Sequence, residues 1–136
     1  MRGAATDPQS VSPITILAVD DDQTVLGLID QTLKSAGYRV LVADSGRGAL
    51  EAYDQFGSPI HLLLADVIMP DLTGPVVAQR LRSRQPGLPV LFISGFHDAD
   101  MVQRFVTDKG FTLLPKPFTI AALLRVVQES LGLVQR

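Results

Sequence analysis

The chain has 136 residues, enough for one domain, and 46% of them are hydrophobic, so a full core is available. Its formal net charge of −2 is too small to draw it to nucleic acid, and without cysteine it forms no disulfide, which fits a reducing cytosol. No apolar run reaches the ~18 residues of a membrane span.

Residues 1–13, MRGAATDPQSVSP, lack an apolar signal core and read as a disordered leader or linker ahead of one domain over 14–134. Ile14 to Val19 is a continuous apolar run, the signature of a strand buried on both faces. A helix follows, with Val25, Leu26, Ile29 and Leu33 on one face and Gly37 as its stop. Arg39 to Ala43 is the second strand. Ser45 then caps a second helix striped by Ala49, Leu50, Tyr53 and Phe56. Ile60 to Ala65 is the third strand and takes in His61, read as a packed or edge residue. The third helix runs from Thr73 to Arg84 through Val77 and Leu81, with Pro75 in its first turn. Pro89 to Ile93 is the fourth strand. The fourth helix is the weakest, carried by Met101, Val102, Phe105 and Val106 before Gly110. Phe111 to Leu114 is the fifth strand, and Ile120, Leu123, Leu124, Val127 and Leu131 mark a fifth helix closing at Gly132. Strands alternating with helices predict a doubly wound α/β fold, with a five-stranded parallel sheet and five helices on two faces.

Ligands of an open parallel sheet bind beyond the carboxyl ends of its strands. Asp20, Asp21 and Asp22 follow the first strand, Asp44 and Ser45 the second, Asp66 the third, Ser94 and Gly95 the fourth, and Lys116 the fifth. With a flavodoxin-like order 2-1-3-4-5, all of these but the Asp44 edge meet in one crevice. Clustered carboxylates repel one another unless a cation joins them, and an all-oxygen set without His or Cys favours Mg²⁺. The plain alternative is that such aspartates form turns and cap helices. It suits Asp44 and Asp22, but not Asp20, Asp21 and Asp66 together with Ser94 and with a lysine set between two prolines.

The segment Ile14 to Leu131 resembles the receiver domains of two-component response regulators. ILAVDDD, LLLADVIMPDLTG, VLFISG and LPKPF carry the resemblance, in that order, and SGFHD and LPKPFT resemble receivers of hybrid sensor histidine kinases in particular. The resemblance implies that Asp66 takes a phosphoryl group from a phosphohistidine of a histidine kinase or histidine phosphotransfer domain. It implies Mg²⁺ held by Asp21, Asp66 and the backbone carbonyl of Ile68, with Asp20 orienting metal-bound water. Lys116 and Ser94 would contact phosphoryl oxygens, and a cis Lys116–Pro117 bond would aim the lysine inward. Such a domain catalyses only its own phosphorylation and dephosphorylation.

The expected output face is the fourth helix, fifth strand and fifth helix, read by a partner or a second copy; with no basic stripe or nucleic-acid motif in the chain, no nucleic acid is expected to bind directly. Leu113 stands where the family usually has an aromatic switch residue, so that arm is missing or replaced. Ile68 and Phe96 would flank the phosphoryl group and, being apolar, could not position an attacking water. Two rivals remain. Asp20, Asp22 and Thr24 fit the DxDxT signature of haloacid-dehalogenase-type phosphatases, with Asp20 as nucleophile, although no Asp follows Asp108 and only Glu129 lies beyond Lys116. The other rival is a receiver-shaped interaction module that never takes phosphate.

Overall fold

The computed structural model describes residues 13–95, 99–107 and 109–133. Most of the expected leader, residues 1–12, lies outside the described residues, as do Phe96 and His97. Five strands, β1 (Thr15–Val19), β2 (Arg39–Ala43), β3 (Leu62–Asp66), β4 (Val90–Ser94) and β5 (Thr112–Pro115), form one parallel sheet in the order β2-β1-β3-β4-β5. The expected order and direction therefore hold.

The three inner strands are buried along their whole length, which is why they read as unbroken apolar runs. Alternate residues feed alternate faces. Leu17, Val19, Leu63, Ala65 and Phe92 point into one core layer, with Ala49, Val77 and Leu81 from the second and third helices. Ile16, Ala18, Leu62, Leu64 and Ile93 point into the other, against Ile29 and Leu33 of the first helix and Leu123 and Val127 of the last.

Helices α1 (Gln23–Ser35), α2 (Gly46–Phe56) and α3 (Gly74–Arg84) begin where their caps predict. Asp22 Oδ1 accepts from the amides of Thr24 and Val25, Ser45 Oγ from Gly48, and Thr73 Oγ1 from Val76. The expectation of five helices needs correction: among the described residues only four, α1, α2, α3 and one further segment after β5, run as α-helix beyond a single turn. Between β4 and β5 the chain makes one α-helical turn, α4 (Ala99–Val102), and runs straight into a π turn, Gln103–Thr107. Regular helix resumes only in α5 (Ile120–Ser130), capped by Thr119.

The third strand also starts later than expected, at Leu62, which leaves His61 outside it and exposed. The His61 amide donates to the Thr15 carbonyl at 2.8 Å, but the Thr15 amide donates back to His61 Nδ1 at 2.9 Å. A side-chain nitrogen has taken the acceptor place of a backbone carbonyl, and the ladder begins one step later. This lies at the amino end of the sheet, far from the strand tips considered next.

Candidate functional site

The sheet reverses its winding at β1, which has β2 on one side and β3 on the other. At this switch point the tips of adjacent strands part and leave a crevice. Asp66 is the last residue of β3 and Ser94 the last of β4, both nearly fully buried, so each belongs to its strand rather than following it. Asp20 comes just after β1 and has no exposed surface, whereas Asp21 faces solvent. One carboxylate oxygen from each of Asp20, Asp21 and Asp66 lies within 4.8 Å of the other two.

Lys116 enters from the end of β5. Its amide donates to the Ser94 carbonyl at 2.8 Å, which continues the β4–β5 pairing past the strand. Its Nζ lies 3.1 Å from Asp20 Oδ2 and 3.5 Å from Asp66 Oδ2. The Lys116–Pro117 peptide bond is cis, as expected. The structure thus brings Asp20, Asp21, Asp66 and Lys116 around one centre and sets Ser94 on the strand beside Asp66, one register step beyond Ile93, Asp66's partner. Ile68 follows in the next loop, partly exposed. Asp44 stays outside the cluster and accepts from Gln23 Nε2 at 3.1 Å.

Electrostatics sharpen this picture. Burial, and then the negative charge of Asp20, push the Asp66 carboxyl up to about 7, against the opposing pull of Lys116. Burial alone favours neutral Lys116, but its pairing with Asp20 and Asp66 outweighs that and raises its pKa. A single ammonium therefore faces two buried acids. Asp20 Oδ1 accepts from the Asp22 amide at 2.9 Å. Its Oδ2 is buried and charge-paired to Lys116 but has no aligned hydrogen bond. A buried carboxylate oxygen in that condition is costly. With an all-oxygen donor set and an excess of negative charge, the residues present fit a hard divalent cation.

The loop after Asp66 is held more firmly than its sequence suggests. The Gly74 amide donates to the Val67 carbonyl at 2.8 Å and closes the loop's base. A Cβ on Gly74 would sit 2.3 Å from the Asp66 carbonyl oxygen, so only glycine allows this approach. At the loop's tip, the Asp71 carboxylate accepts from the amides of Gly46 at 2.9 Å and Arg47 at 2.8 Å, the first turn of α2. Those contacts, the Arg47 bond first, hold the Asp71 carboxyl below its ordinary value. Sequence reasoning gave Asp71 no role. Its only visible signal was a place in a Pro-Asp loop after a strand, and its partners lie 24 and 25 residues away.

Comparison with known proteins is decisive here. Residues 16–128 match the family model of the response regulator receiver domain. The chain is a receiver domain of two-component signalling systems. It is 35% identical over 127 residues to the sensor kinase CckA of Brucella abortus, covering 93% of this chain but 13% of that one. The response regulator receiver protein CpdR of Brucella abortus is 30% identical over 116 residues, covering 85% of this chain and 95% of CpdR. Among solved structures, the receiver domain of the hybrid histidine kinase CckA superposes with a TM-score of 0.72 at 33% identity, over 86% of this chain and 98% of that one. A receiver protein from Sinorhizobium medicae gives 0.77 at 31% identity, over 89% and 96%. The phosphoacceptor role is the family's function, and membership removes the phosphatase alternative. Receivers work with histidine kinases or phosphotransfer proteins and with output domains.

Proposed function

We propose that Asp66 is the phosphoacceptor of this receiver, and that it works with Mg²⁺ held by Asp21, Asp66 and the Ile68 carbonyl, with Asp20 orienting metal-bound water. The observation that carries this is the convergence of three carboxylates and one ammonium on one point at the switch of the sheet. The cation would supply the positive charge that lets a crowded carboxylate ionise and that shields the incoming phosphoryl group.

The rest falls to the chain's own residues. An Asp66 carboxylate oxygen attacks the phosphorus of a donor phosphohistidine, the O–P bond forms as the N–P bond breaks, and the imidazole leaves with the electron pair. Lys116, already between Asp20 and Asp66, moves its charge to a phosphoryl oxygen, and Ser94 donates its hydroxyl to another. The donor is a histidine kinase or a histidine phosphotransfer domain, and the domain works in the cytoplasm. With acetyl phosphate and Mg²⁺, the intact mass should rise by one phosphoryl group in the wild type and stay unchanged in Asp66→Asn. An unmodified wild type would instead support a receiver-shaped module that takes no phosphate.

The output face in this proposal is the side formed by α4, β5 and α5. Its support is the irregular α4 region, the half-exposed edge strand β5 and the 53% exposed Ile120 at the head of α5. Leu113 sits half-buried on the α3 side of the sheet, near Phe111. Phe111 meets Phe92 edge-on at 5.3 Å and lies under the Arg82 guanidinium at 4.9 Å. Phe111 is thus held between Phe92 and Arg82, and in this reading the switch lies in the β4–β5 connection, where α-helix gives way to a π turn. A partner or a second copy reads the result. Amide spectra of α4, β5 and α5 should shift on phosphorylation, and unchanged spectra there would overturn this assignment of the face.

A further inference from the structure

The tip of the phosphoacceptor loop is joined to α2 by a seam that no step of the chemistry uses. Asp71 accepts from both the Gly46 and Arg47 amides. Leu72, next to it, lies so close that a Cβ on Gly46 would come within 2.5 Å of the Leu72 Cβ. The helix already has a local cap, because Ser45 Oγ takes the Gly48 amide at 3.0 Å. The Asp71 carboxylate therefore satisfies two further orphan amides at the positive end of the helix from outside it. Such charge-assisted bonds are the stronger kind. With Gly74 closing the loop's base and Asp71 fixing its tip, the segment carrying Ile68 is tied at both ends.

We infer that Asp71 is a positioning residue for the metal site: by latching the loop tip to the first turn of α2, it holds the Ile68 segment in place for Mg²⁺. This rests on the reading that Asp21, Asp66 and the Ile68 carbonyl hold the ion. Groups that orient a metal's ligands typically change affinity by about 10–100-fold when removed. Coupling is reciprocal, so Mg²⁺ in turn steadies the α2 amides that Asp71 holds.

The test is Mg²⁺ titration by calorimetry on the wild type, Asp71→Ala, Asp71→Asn and Ser45→Ala. Asp71→Ala should bind about tenfold or more weakly, while Asp71→Asn, which keeps one acceptor oxygen, falls between. Ser45→Ala weakens the same helix end without touching the loop and should bind as the wild type does. In the wild type, Mg²⁺ should also slow hydrogen exchange at the Gly46 and Arg47 amides, and in Asp71→Ala this response should vanish. Equal affinities for Asp71→Ala and Ser45→Ala, or α2 amides indifferent to Mg²⁺ in the wild type, would overturn the inference while leaving the metal site standing. A wild type that binds no Mg²⁺ would overturn the metal site itself, and the inference with it. Should Asp71→Ala not fold, Gly46→Ala pushes a methyl into Leu72 and disturbs the same seam. A similar loss of affinity there supports the latch, and an unchanged affinity sinks it.

Discussion

The two sides of the crevice are built differently. On the β1–β3 side, every connection near the acids is tied. Asp22 caps α1, Gly74 is pressed against the Asp66 carbonyl, and Asp71 bridges to α2. On the β4–β5 side, a single α-turn gives way to a π turn, where Gln103 and Arg104 are exposed and Val106 is the buried anchor among the described side chains. The contrast suits a switch. In the proposal above, the acids must be held in place, and the segment that reports must have a second arrangement within reach.

Hydrogen exchange is the most direct way to break this contrast. Amides of Leu17, Leu63 and Leu64 lie in fully buried central strands and should open only with global unfolding. Those of Gln103–Thr107 should exchange through local opening, faster by roughly 10³ or more after correction for intrinsic rates. Equal protection in the two regions would mean that the β4–β5 connection is no looser than the core.

Lys116 joins the two halves, since it hangs from β5 and pairs with acids of the β1 and β3 tips. Lys116→Ala should slow labelling of Asp66 by acetyl phosphate by roughly 10², the typical cost of removing one group aimed at developing charge. If labelling is unaffected, the ammonium is only a structural counterion.

Much of this contrast could be read from the sequence, and the gaps have physical causes. Buried parallel strands carry their signal in every residue, so the apolar runs Ile14–Val19, Ile60–Ala65 and Pro89–Ile93 fall within two residues of the observed strands, and the strand-tip rule points to Asp20, Asp21, Asp66, Ser94 and Lys116. The fourth helix failed because apolar residues at 101, 102, 105 and 106 mark one face without saying whether the backbone closes as an α or a π turn. The early start given to β3 failed because His61 mimics a backbone acceptor with its ring, which no apolar pattern encodes. Asp71 stayed hidden because its bonds are to backbone amides, which have no sequence signature.

The tied side should also show its cost when no metal is present. Asp66 has a folded-state pKa of about 7 against an ordinary 3.8, so the folded protein holds a proton that the unfolded chain has released between those values. The resulting stability is fully present below pH 3.8 and is lost as pH rises through about 7. Metal-free wild type should therefore lose stability relative to Asp66→Asn across that window in urea melts at a series of pH values. Mg²⁺ should restore it at pH 8. Parallel profiles for the two proteins would mean that Asp66 ionises freely and that the crowding of acids has been misjudged.

The smallest expected effect concerns how long the phosphoryl group lasts. Ile68 begins the tied loop, is 39% exposed beside the acids, and has a side chain that can neither donate nor accept a hydrogen bond. An attacking water near the phosphoryl group would find no partner there, so its approach would be unguided. Ile68→Asn adds a donor and an acceptor at that place without altering a carboxylate or Lys116. Decay of phospho-Asp66, followed by intact mass after the donor is removed, should speed up several-fold, well short of the roughly 10²–10⁴-fold typical of positioned proton-transfer groups. Equal decay rates would show that this corner of the site sets the geometry of the acids but not the lifetime of the signal.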